Sequence, residues 1–146
     1  MKHALAVAGL LFLSVSGTVP QKKPDFSGNW RSLSGIEQVV TQDDQTLTTR
    51  EGPSTGPHVA TYKLDGSESK NVVNTHGQDI VTVSKAVWDG NKLVITHVTT
   101  LPNNTKNERK QVWSFDGAGR LTIELIAVFA ADPSGPKSAK ETYVRK

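Results

Sequence analysis

The chain contains no cysteine. Disulfides are therefore excluded, and any fold must be held by packing and strand pairing alone. The same absence speaks against a lipid-anchored lipoprotein, which needs a cysteine beside its cleavage site. Clustered positive charge is also missing. Lys22-Lys23, Arg109-Lys110 and Arg145-Lys146 are isolated pairs, and Lys plus Arg exceed Asp plus Glu only by 17 to 14. Nucleic-acid binding, which needs basic residues gathered on one face, is not expected. No stretch shows capped helical periodicity. The single long apolar run, Ala4 to Val15, is too short for a stable bilayer-spanning helix, which takes about 20 residues.

That apolar run has another reading. Met1-Lys2-His3 is a short basic start, and the small residues Ser14, Ser16 and Gly17 close the run. Basic start, apolar stretch and small residues, in that order, are the signature of a secretory signal peptide over residues 1–17. Residues 18–24 then read as a polar, Pro-flanked linker and residues 25–146 as one domain. The expectation is an exported protein, periplasmic or extracellular, with no integral membrane segment once the signal is removed.

What the chain does have is strand chemistry. Val, Ile, Thr, Trp and Tyr dominate segments separated by Gly, Pro, Asn and Asp, and ten strand-like segments can be traced from Asn29 to Arg145. The clearest is the stretch from Leu121 to Phe129. Leu121, Ile123, Leu125, Ala127 and Phe129 share one face, with Thr122 and Glu124 on the other. The shortest is Asn71 to Val73. Asp-Gly recurs at 65–66, 89–90 and 116–117, a pair that tolerates the positive φ angles of tight hairpins. Longer Pro-, Gly- and Asn-rich connections are expected over residues 51–58, 74–79, 101–107 and 131–137. Tight and long connections alternate, so in a meander they lie at opposite ends. The predicted fold class is all-β: a single antiparallel up-and-down β-barrel of about 8–10 strands, closed because closure removes unprotected edges. One end is compact and the other is a loop-rich mouth.

The domain opens Asp25-Phe26-Ser27-Gly28-Asn29-Trp30. Gly28-x-Trp30 resembles the opening motif of the lipocalins and of the wider calycin group, which includes the fatty-acid-binding proteins. The resemblance implies that Trp30 packs at the closed end with a basic residue of the last strand across it. Tyr143-Val144-Arg145 ends that strand, so Gly28, Trp30 and Arg145 are expected to close the barrel. Two features differ from the fatty-acid-binding proteins. Ser32 to Ile36 leaves no room for the two helices that follow their first strand. Their Arg-x-Tyr carboxylate pair is also reversed here, as Tyr143-x-Arg145. The chain looks more like small exported lipocalin-like domains beginning Asp-Phe-Ser-Gly-x-Trp.

Catalytic chemistry is not expected. Gly52-Pro53-Ser54-Thr55-Gly56 fits Gly-x-Ser-x-Gly in letters, but prolines flank its centre and no helix follows. His58, His76 and His97 have no metal-ligand spacing, and Asp43-Asp44 reads as a turn. No metal and no cofactor are therefore predicted. The barrel interior supplies the candidate ligand-binding residues Tyr62, His97, Arg109, Gln111, Trp113, Leu125 and Phe129. Leu121, Ile123, Leu125 and Phe129 would form an apolar wall, and His97, Arg109 and Gln111 would orient a polar head. An inward Arg109 would require an anionic partner, which points to an acidic ligand. The expected function is a carrier or sensor of a small apolar or amphipathic molecule. The rival is a protein-interaction module, an exported inhibitor or envelope assembly factor, acting through residues 51–58 and 131–137.

Overall fold

The structure, a computed structural model, describes residues 22–53 and 56–146. The predicted signal peptide, the first part of the linker, and Ser54 and Thr55 of the Gly-x-Ser-x-Gly stretch lie outside the described residues. Ten strands follow in order: β1 (Gly28–Ser32), β2 (Glu37–Gln42), β3 (Thr46–Glu51), β4 (His58–Lys63) and β5 (Glu68–Thr75), then β6 (Gln78–Asp89), β7 (Lys92–Thr100), β8 (Lys106–Phe115), β9 (Leu121–Val128) and β10 (Lys137–Arg145). They form one antiparallel sheet in the order β4-β3-β2-β1-β10-β9-β8-β7-β6-β5. The first strand pairs with the last, with Trp30 opposite Arg145. The all-β up-and-down barrel is thus present. Ser32 to Ile36 makes a direct turn from β1 to β2, and no helix occurs among the described residues.

The barrel is nearly closed. Its remaining seam runs between β4 and β5, which share no backbone ladder. Side chains stand in for the missing rungs. Lys63 N–H donates to Ser69 Oγ at 2.8 Å, and Thr61 N–H donates to Asn71 Oδ1 at 2.9 Å. Asn71 Nδ2 donates back to the Thr61 carbonyl at 3.1 Å. Backbone groups at a sheet edge need such partners when no strand lies beside them.

The Asp-Gly turns fall at one end, as the alternation requires, but one mouth connection is much shorter than expected. The fifth strand runs from Glu68 to Thr75, well beyond Asn71–Val73. The loop expected over residues 74–79 is a two-residue turn, because His76 and Gly77 both adopt positive φ, 54° and 79°. That is the geometry of a primed hairpin turn. His76 gave no composition signal for it, since Asn, Asp and Gly are the usual occupants.

The compact end is filled. Phe26, at 0% exposure, plugs it from below. Its ring lies 6.0 Å from Trp88, 5.9 Å from Trp113 and 5.1 Å from Phe115, all centroid to centroid. The end of β2 holds the plug in place: Phe26 N–H donates to Gln42 Oε1 at 3.0 Å, and Gln42 Nε2 donates to the Pro24 carbonyl at 2.8 Å. The end of the expected linker therefore belongs to the barrel. Trp30 donates its indole N–H to the Phe26 carbonyl at 2.9 Å, and the Arg145 guanidinium lies 4.5 Å over the Trp30 ring. Arg145 also donates to the Ser27 carbonyl at 3.0 Å. Gly28 makes this approach possible: its φ is 151°, and a Cβ there would sit 2.5 Å from Arg145 Nη1. Leu47, Leu93 and Leu121 complete the lower core, each fully buried.

Candidate functional site

Above that core the inward side chains change character. Strand alternation points every second residue inside. On β2 and β3 these are Gln38 then Val40, and Leu47, Thr49 then Glu51: apolar toward the base, polar toward the mouth. On β8 they are Arg109, Gln111 and Trp113, in order from mouth to floor. Both faces of β6 carry apolar residues, so its inward side is not legible in the sequence. Its inward face carries Ser84 and Ala86, buried small residues, while Val87 is exposed. Small inward residues leave space. The result is a cavity of about 480 Å³ in the upper half of the barrel. That is within the range of small-molecule sites, roughly 300–1,000 Å³.

Six of the seven candidate residues line this cavity: Tyr62, His97, Arg109, Gln111, Trp113 and Leu125. Phe129 does not. β9 ends at Val128, and Phe129 lies beyond the ladder, 38% exposed. The apolar wall is also shorter than expected. Ile123 and Leu125 face the cavity, whereas Leu121 is in the lower core. Gln38, Thr49, Glu51, His58, Glu141 and Tyr143 line the cavity as well and were not picked out from the sequence. The alternation used for the ninth strand would have found Gln38, Thr49 and Tyr143, had it been carried to the second, third and tenth strands.

The floor is Trp113, buried to 2% exposure and touching the Phe26 plug below. Its indole N–H donates to Gln111 Oε1 at 3.0 Å, which holds the Gln111 side chain along the wall. Tyr62 and His97 meet edge to face, with ring centroids 5.6 Å apart. Burial raises the Tyr62 phenol above its usual range, against opposing effects of Thr49 and Arg109. Tyr143 is pushed up to about 12, by burial first and then by the negative charges of Glu51 and Glu141. Both phenols are neutral hydrogen-bonding groups at ordinary pH.

His97 is the most constrained polar group of the site. It is 4% exposed, and Ser84 Oγ lies 2.9 Å from its Nδ1. Burial lowers its pKa to about 4, helped by the Arg109 charge and opposed by the Gln111 carboxamide. The ring is therefore neutral at neutral pH. Among the described residues, its Nε2 is buried and has no partner within hydrogen-bond geometry, and the same holds for Gln38 Nε2.

Charge is confined to the mouth. Arg109, Glu51 and His58 are exposed, and Glu141 is half-buried. The expected burial of Arg109 is corrected by this: its guanidinium faces the cavity opening in contact with water. It needs no anionic partner, so the argument for an acidic ligand lapses. Glu141 accepts a hydrogen bond from Ser34 Oγ at 2.5 Å, which ties the first turn to β10. Among the described residues, no group of three or more His, Cys, Asp or Glu is placed to hold a metal ion. No helix of the described residues is long and apolar enough to cross a membrane.

Compared with known proteins, the chain matches no family model and no curated protein.

Proposed function

We propose that the chain is an exported, lipocalin-like carrier or sensor that holds a small amphipathic molecule in the upper half of its barrel. One observation carries the reading. The barrel is filled at the Asp-Gly end and hollow at the other, with a cavity of about 480 Å³ between an aromatic floor and a polar mouth. A barrel needed only as a scaffold is stabilised by filling its interior throughout, as small barrels commonly are. Keeping buried polar groups around an open space costs stability, and ligand binding is a reason to keep them. The calycin-like architecture and the Gly28-x-Trp30 opening support the same reading, and the signal-like residues 1–17 support export. The role is binding rather than catalysis. A module acting through its loops has no use for a hollow interior, so the open upper barrel favours the carrier.

Native mass spectrometry of the protein purified from its host's extracytoplasmic fraction tests this, with denaturing extraction afterwards. A stoichiometric small molecule released on denaturation is the expected result. A clean apo mass together with a co-purifying protein partner would sink the carrier reading in favour of the interaction module.

A further inference from the structure

The two orphaned nitrogens of the cavity say what kind of molecule would satisfy it. Gln38 stands on β2 and His97 on β7. Counted round the ring of strands, with β4 and β5 as neighbours across the seam, they are five places apart in either direction. They therefore face each other across the barrel. Both are at least nine-tenths buried, at 5% and 4% exposure, and both line the cavity. A buried polar group without a partner costs stability, so each calls for one.

The polarity of each group follows from its neighbours. In the orientation its carboxamide takes in the structure, Gln38 presents Nε2 to the cavity, and an amide nitrogen is a donor only. For His97 the question is which ring nitrogen carries the proton. Among the described residues, Ser84 Oγ has no hydrogen-bond partner other than His97 Nδ1. Ser84 is 1% exposed, so water does not take its proton either. Its hydroxyl is satisfied as a donor only by pointing at Nδ1. That nitrogen is then the acceptor, and the proton of the neutral ring sits on Nε2. Both orphans are N–H donors.

The depth of the cavity carries no charge. Below the mouth the lining is Tyr62, Trp113, Ile123, neutral His97 and the amides. At the mouth one guanidinium, Arg109, stands against two carboxylates, Glu51 and Glu141. A ligand charge placed at depth would meet only the water-exposed guanidinium of Arg109, which acts on His97 from the mouth, and desolvating it is costly. We infer that the cavity takes an uncharged molecule with hydrogen-bond acceptors, such as carbonyl oxygens, at opposite ends of an apolar body. His97 reads one end and Gln38 the other. This rests on the ligand-binding reading above and narrows it to neutral dicarbonyl-type chemistry.

Two measurements test it. The first needs no ligand: long-range 15N–1H NMR of the labelled full chain at pH 7. A protonated Nε2 and an unprotonated Nδ1 are expected for His97; the opposite tautomer would overturn the inference. The second is a titration with three probes of one skeleton: 1,4-naphthoquinone, naphthalene and 1-naphthoate. The absence of cysteine removes the thiols a quinone would alkylate. The quinone should bind at least about tenfold tighter than the other two, shifting the His97 Nε2 and Gln38 amide signals. His97→Phe and Gln38→Leu should each reduce that preference. Naphthalene binding as tightly would show that the donors are not read, and 1-naphthoate binding more tightly would overturn the neutral class. In both cases the carrier reading survives. Failure of all three probes to bind would overturn the inference and count against the carrier reading as well.

Discussion

His97 shows how surroundings convert a common residue into a site-defining one. Its folded pKa, about 4, lies below the ordinary 6.5. Between those values the unfolded chain takes up a proton that the folded chain refuses. Stability from this group is therefore complete above pH 6.5 and is lost as pH falls toward 4. At pH 5 the loss is about 2 kcal/mol relative to pH 7.5, before the carboxylates titrate strongly. Urea unfolding at the two pH values should show this drop, and His97→Phe should remove most of it. Phe26 is the corresponding residue of the closed end. Phe26→Ala should cost roughly 3–5 kcal/mol, because the ring has three aromatic neighbours and no route for collapse. Thermal or urea unfolding measures it directly. The sequence made Phe26 and Trp30 visible through their motif. It could not reveal the neutral state of His97, which depends first on burial in the assembled barrel and then on the charge of Arg109 from β8.

At the scale of elements, alternation of side chains was readable wherever one face was uniformly apolar, as in β9. It failed where both faces mix types. Ser84 and Ala86 look unremarkable beside Val83 and Val87, yet they are the inward pair. The β5–β6 turn was missed for a local reason, since His76 adopts a positive φ that its side chain does not advertise. The β4–β5 seam was invisible, because strand pairing around a ring depends on every earlier register. Asn71→Ala should expose that seam. It removes both bonds to Thr61 and should cost roughly 1 kcal/mol. Hydrogen exchange at the Thr61 amide should speed up, while exchange in the β8–β9 ladder stays unchanged. Equal acceleration in both places would mean that the seam is not a separate weak point.

For the whole molecule, stability and the cavity occupy different ends of one barrel. Leu125 lines the cavity and is only half-buried, so there is room beside it. Leu125→Trp should fill that space, abolish retention of any bound small molecule, and leave the thermal midpoint within a few degrees, about 1 kcal/mol. Native mass spectrometry beside a thermal melt separates the two effects. A large fall in the midpoint instead would show that the upper interior is already tightly packed.

The sequence by itself determined the all-β class, the ten-strand order of events, the tight turns at one end and seven of the cavity-lining side chains. These are encoded locally, in the period of two and in Asp-Gly turns. Only the tertiary structure decided that Phe129 lies outside, that Arg109 is in contact with water, and that Gln38 and His97 face one another. Each of those facts depends on where the ladder ends or on what stands across the barrel. Strands distant in sequence set both, so no local pattern records them.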